Sequence, residues 1–275
     1  MQLRGVASAI LFLPLLAGCG SSGGNHPTPA PVTPDLSGNW QIQAAAAAPP
    51  ASGILMLGAL TSNGANVTGT FQFSDLNQVQ ACGGLQQVLA FTGSIDAGRN
   101  LTLTSAPFAG TSVVKVQLAI PALATSYSAG TIEISGGNCT EPSTAALGSL
   151  FAPLTGVYAG SVLPGPSNPA TTGGGPATLT LTQSSTPNST GQFPLSGTLS
   201  LTLGSCSLSR ALTGNANGIV ANLAGFTAGF DDVNLVTAEQ PDGAKLPTVT
   251  IFFVNPPCPA DTSLPTSYTG ALTRQ

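Results

Sequence analysis

Two tandem all-β units, each an antiparallel meander closed or nearly closed into a barrel, are predicted for this chain of 275 residues. Three observations carry the prediction. Apolar and polar residues alternate with period two over 67–73, 101–104, 114–118, 131–134, 177–182 and 195–203, as strands with one buried and one wet face require. Turn clusters separate these runs, at Ser62-Asn63-Gly64, Asp96-Ala97-Gly98, Ser135-Gly136-Gly137-Asn138 and 215–218, which suits hairpins. The pattern also occurs twice. Leu36-Ser37-Gly38-Asn39-Trp40 matches Leu154-Thr155-Gly156-Val157-Tyr158 in type at an offset of 118, and Phe91-Thr92-Gly93 matches Leu212-Thr213-Gly214 at 121. A repeat near 120 residues gives two copies of one domain-sized unit, 36–153 and 154–275. An apolar–Ser/Thr–Gly triplet recurs at 36–38, 67–69, 91–93, 154–156, 195–197, 212–214 and 268–270. It sets glycine where a coiling sheet crowds its neighbour. Two β-sandwiches are the alternative packing of the same strands.

In chain order, the first element is an address. Residues 1–4 carry one positive charge and 6–16 form an apolar stretch broken by Pro14. That stretch is shorter than the roughly 20 residues a permanent membrane helix needs, and it reads as an export signal. Leu16-Ala17-Gly18-Cys19 follows directly and resembles the lipobox of bacterial lipoproteins. The resemblance implies diacylation of the Cys19 thiol and removal of residues 1–18. Several acyl chains, at about 0.8 kcal/mol per CH₂, would then hold the chain on a membrane. Gly20 stands where aspartate marks inner-membrane retention in such lipoproteins, so the resemblance implies the outer membrane. Residues 19–35 form a lipidated Gly/Ser/Pro linker, of which 20–34 reach at most about 45 Å. The one histidine, His26, lies in it as a solvated residue. Without residues 1–18 the chain has 5 basic and 10 acidic side chains, net −5.

Five cysteines, Cys19, Cys82, Cys139, Cys206 and Cys258, make an odd number. Lipid on Cys19 leaves four, which an oxidising compartment pairs. The repeat selects among the three connectivities: Cys82 and Cys206 are 124 apart, Cys139 and Cys258 are 119 apart, so each copy holds one pair. Cys82–Cys139 and Cys206–Cys258 then close 57 and 52 residues, each contributing about 4 kcal/mol.

Between the first and second strands, copy one has an alanine run at 43–48 ended by Pro49-Pro50, read as a short helical turn in a loop. Copy two has a long loop at 163–176 in the matching place. Both suit either a lid over a barrel mouth or a tolerated insertion. Gly38-Asn39-Trp40 resembles the first signature of lipocalins and related calycins, and Gly156-Val157-Tyr158 is a softened version of it. This calycin-like resemblance implies eight-stranded up-and-down barrels with a basic residue late in each barrel packed over the aromatic. Arg274 fits that place for Tyr158, whereas copy one has no arginine or lysine near 131–135. Trp40 reads as an aromatic plug closing one end of a hydrophobic interior. An immunoglobulin-like sandwich would set its tryptophan between the two cysteines, but Trp40 precedes both.

Chemistry is mostly excluded. A net charge of −4, a pI near 4.6 and no basic run leave nothing to neutralise a phosphate backbone, so no nucleic acid is expected. With its histidine in the linker the chain cannot build a Ser-His-Asp triad. The segment TGGGP at 172–176 lacks the lysine and the helix of a phosphate loop. Asp231-Asp232, with Asn234, Glu239 and Asp242 nearby, is the acidic cluster. It reads as a solvated loop rather than a calcium site or a carboxylate pair. Aromatics at 5% are too few for the girdles of a membrane-spanning barrel. The expectation is a membrane-anchored cell-envelope lipoprotein without enzymatic activity, cofactor or metal, serving a non-catalytic binding or scaffolding role. Its partners would be the membrane through the acyl anchor, and a small apolar ligand or an envelope protein. Trp40, Phe71, Phe73 and Tyr158 are the expected lining of an interior apolar site. Surface adhesion or envelope structure stays open as the alternative, and a carboxylate hydrolase has the least in its favour.

Overall fold

The computed structural model describes residues 33–44, 53–75, 86–122, 127–165, 173–227, 230–238, 240–258 and 263–275. These form sixteen strands and, among the described residues, no helix. The first eight are β1 (Gly38–Ala44), β2 (Ile54–Asn63), β3 (Asn66–Asp75), β4 (Gln86–Ile95), β5 (Asn100–Ser105), β6 (Val113–Ala119), β7 (Ser128–Ser135) and β8 (Glu141–Phe151). The second eight are β9 (Gly156–Pro164), β10 (Gly175–Gln183), β11 (Phe193–Leu203), β12 (Cys206–Asn217), β13 (Val220–Thr227), β14 (Phe230–Ala238), β15 (Lys245–Phe253) and β16 (Ser267–Arg274). Within each set of eight, every strand pairs antiparallel with the next. β8 returns to β1, with Trp40 opposite Leu150, and β16 returns to β9, with Leu272 opposite Gly160. The result is two closed eight-stranded meander barrels in tandem. The sandwich alternative fails because the closing ladders leave neither sheet an edge.

Alternation fills each barrel. On β5, Leu101 and Leu103 are fully buried while Asn100 and Thr102 face water. The inward positions form one apolar cluster per barrel. Glycines let the walls coil. A Cβ on Gly93 of β4 would overlap the Thr102 carbonyl oxygen of β5, and one on Gly214 of β12 would overlap that of Asn222 on β13. These two glycines, 121 residues apart, occupy the same place in their respective barrels.

Three expectations need correction. Gln43 and Ala44 belong to β1 and are not part of a helical turn; residues 45–48 lie outside the described residues. Leu163 and Pro164 end β9, and Gly175 and Pro176 begin β10, so the long connection of the second copy is shorter than its Pro/Gly content suggests. Asp231 and Asp232 lie on β14 rather than in a loop, just past a register shift at Gly225/Phe226.

Turns at one end of the second barrel meet the outer wall of the first. The tight turn between β12 and β13 seats against the outer wall of β1 and β2. There Asn39 Nδ2 donates to Gly218 O at 2.9 Å, and Gly218 N donates to Asn39 Oδ1 at 2.7 Å. Asn217 Nδ2 reaches Gln72 Oε1 on β3 at 2.8 Å. Asn39, Ala59, Ser149 and Phe151 alternate with core positions and so point outward, yet all four are buried. Ala59 packs into the apolar cluster of the second barrel.

Candidate functional site

The four aromatic residues expected to line an interior site are all buried in their own barrels. Phe71 meets Phe91 edge-on with centroids 5.4 Å apart, and Phe73 meets Phe108 at 5.6 Å. Trp40 Nε1 donates to Leu36 O at 2.7 Å, which satisfies the indole where the chain enters β1. Tyr158 lies in the second barrel and donates its hydroxyl to Gly243 O at 3.2 Å. Trp40, Phe71 and Phe73 are thus brought into one cluster, and Tyr158 into the other.

A cavity of about 230 Å³ lies at the Trp40 end of the first barrel, between Asp35, Leu36, Arg99 and Ile120. Arg99 occupies the β4–β5 turn with φ 66° and donates Nε to Ile120 O at 3.0 Å and Nη2 to Pro121 O. The first copy therefore does carry a cation beside its tryptophan, supplied by a turn and not by a late strand. In the second copy Arg274 stands opposite Tyr158 in register and donates Nη2 to Thr155 O. The strand equivalent to β16 is β8, not the 131–135 segment of β7 where sequence reasoning looked.

Cys206 and Cys258 form a disulfide with Cα atoms 6.3 Å apart, joining the start of β12 to the segment after β15. Cys139 is buried and also disulfide-bonded, and its N–H donates to Ser112 Oγ at 3.1 Å. Cys82, Cys19 with the rest of 16–19, His26 and Glu239 lie outside the described residues. Of the acidic cluster, Asp242 sits on the β14–β15 turn, whereas on β14 Asp231 pairs with Phe226 and Asp232 falls at the register shift without a ladder partner.

Sequence reasoning missed the seam between the barrels. Two cavities of about 530 and 520 Å³ open there, and Phe151, Pro241 and Asp242 belong to both. The larger adds Gln41 and Gln43 of β1, Ser149 of β8, Gln240 and Tyr127, a residue that is 64% exposed. Gln41 is fixed at both ends: its Nε2 donates to Gln43 Oε1 at 2.8 Å and its Oε1 accepts Ile219 N at 3.2 Å. The β14–β15 turn is tied to three elements. Gly243 O accepts the Tyr158 hydroxyl, Ala244 O accepts Arg274 N at 2.9 Å, and Pro241 O accepts Ala152 N at 2.9 Å. Asp242 Oδ1 accepts Ala244 N at 2.9 Å, which sets the carboxylate at the seam. The available signal was the apolar or small outward position, Ala59 or Phe151, in otherwise wet strand faces; it flags a covered wall without naming the cover. Compared with protein-family models, curated proteins and solved structures, the chain matches none of them.

Proposed function

We propose that this chain is a lipid-anchored protein of the bacterial cell envelope, held in the outer membrane through Cys19, whose joined barrels act as a non-catalytic binding or scaffolding body. The observation that carries the reading is the apolar cluster of buried side chains that each barrel forms in its own interior. Trp40, Phe71, Phe73 and Tyr158 then serve as core, and binding falls to the outer walls and the seam. The anchoring half rests on Leu16-Ala17-Gly18-Cys19 and its resemblance to a lipobox.

Metabolic labelling with alkyne-palmitate tests the anchor in the full chain expressed in a Gram-negative host. The wild type is expected to take up label and fractionate with the outer membrane, while Cys19→Ala does neither. An unlabelled, freely soluble wild-type chain would overturn the reading. Native mass spectrometry of the same protein is expected to show no stoichiometric apolar passenger, and finding one would return function to the interiors.

A further inference from the structure

Resting on that reading of a binding body with filled interiors, we infer that the larger seam cavity is a site for a neutral oligosaccharide strand. Gln41, Gln43 and Gln240 bring carboxamides, Asp242 a carboxylate and Tyr127 an exposed aromatic ring. A carboxamide both donates and accepts, and a carboxylate only accepts. Together they match the vicinal hydroxyls of a sugar, each of which is donor and acceptor at once. The face of a tyrosine ring is the negative side of its quadrupole and takes the C–H face of a pyranose.

The same lining disfavours other ligands. No lysine, arginine or histidine lines either seam cavity among the described residues, so a phosphate or carboxylate ligand finds no charge-assisted partner, and Asp242 repels it. A peptide bound by strand addition needs an unpaired sheet edge, and both sheets are closed. An apolar ligand would leave the amides of the wall without partners, which is costly once water is displaced.

The polar groups are also held in place before anything binds. Gln43 Oε1 is taken by Gln41, which leaves the Gln43 amide hydrogens for a ligand. Asp242 Oδ1 is taken by Ala244 N, which leaves Oδ2. The turn bearing Asp242 is tied to both barrels' walls through Tyr158 and Ala152. Fixed groups lose less entropy on binding. At about 530 Å³ the cavity falls within the range of ligand sites, about 300–1,000 Å³. Its neighbour shares Phe151, Pro241 and Asp242 with it, so the two cavities adjoin along the seam.

The test is a titration of the detergent-solubilised full chain, followed by the NMR signals of the Gln41, Gln43 and Gln240 side-chain amides. The probes are tetra-N-acetylchitotetraose, cellotetraose and maltotetraose, each taken to about 10 mM so that any millimolar Kd is read. At least one is expected to shift these signals saturably. Tyr127→Ala should weaken it about tenfold or more, and Tyr127→Phe should retain it, because the ring face does the work; Tyr127 is too exposed for either change to disturb folding. Three results would each overturn the inference: no shift with any of the three sugars, a shift that survives Tyr127→Ala, or the same signals moved by tetra-alanine instead. Palmitate labelling of the same preparation separates the two readings. Labelled protein without a sugar response removes the seam site alone, whereas a sugar response in unlabelled protein removes the anchor alone.

Discussion

Asp35 stands three residues ahead of β1 and ties the incoming chain to β2. Its Oδ1 accepts Ser37 N at 2.9 Å and Ser62 Oγ at 2.7 Å, while Ser62 Oγ also accepts Leu36 N at 3.0 Å. The Ser37 amide first, then the Ser37 and Ser62 hydroxyls, hold the Asp35 carboxyl below the usual carboxylate range. Asp96 in the β4–β5 turn is lowered in the same direction by the Asn100 side chain and backbone. A carboxylate lowered on folding stabilises fully above its unfolded-state value, and that stability is lost as pH falls through the folded-state value. Urea midpoints measured from about pH 5 down to pH 2 should therefore fall less steeply in Asp35→Asn than in the wild type. Equal slopes would show that the solvent-exposed Asp35 cluster contributes nothing. At this scale the sequence was partly readable. The equivalence of Trp40 and Tyr158 could be seen, and both are core aromatics in the same place. Their hydrogen bonds could not, because Trp40 uses a carbonyl four residues away while Tyr158 uses one 85 residues later.

Strands were readable because burial on one face imposes a two-residue period, which nothing else in a chain with so few charges imitates. The triplet glycines were readable for the same reason: side chains alternate, so a glycine at a core-facing position, as Gly93 is between buried Phe91 and Ile95, marks where the neighbouring backbone comes close. Gly93→Val tests this. The new Cβ would overlap the Thr102 carbonyl, and the β4–β5 ladder must open, at a cost of about 3 kcal/mol, the upper end of the usual range for overpacking. Gly64→Ala is the contrast, since a Cβ there meets nothing and only its φ of 61° resists, with an expected loss of about 1 kcal/mol. Chemical denaturation reads both, and equal losses would mean that close approach is not what the strand glycines serve. Element ends were less readable. Pro164, Gly175 and Pro176 look like loop residues and lie at strand termini, where a missing donor costs little. Asp231-Asp232 looked like a loop because two adjacent charges break alternation, and the register shift at Gly225/Phe226 lies directly across the ladder from it.

At the scale of the molecule, the two copies of the repeat, 36–153 and 154–275, lie within one compact unit of residues 32–275. The lock is small and buried. Asn39 exchanges two hydrogen bonds with Gly218, whose φ of 57° sets the turn that inserts there and whose Cβ, if it had one, would strike Leu57. Breaking the pair leaves buried groups unsatisfied, at about 1–3 kcal/mol each. Coupling of this kind predicts that the barrels unfold together. Trp40 is the single tryptophan and lies in the first barrel, so its emission reports that barrel alone. The Cys206–Cys258 bridge lies in the second and closes 52 residues of sequence, a stabilisation of about 4 kcal/mol. In Cys206→Ala/Cys258→Ala the urea midpoint of Trp40 emission is expected to drop together with the midpoint of far-ultraviolet ellipticity, although no residue of the first barrel has changed. Adding Asn39→Ala should separate the two curves, the tryptophan transition moving back toward its wild-type midpoint while ellipticity melts in two steps. If Trp40 emission ignores the loss of the distant disulfide from the outset, the barrels are thermodynamically independent, and the seam is a contact between neighbours rather than part of one cooperative body.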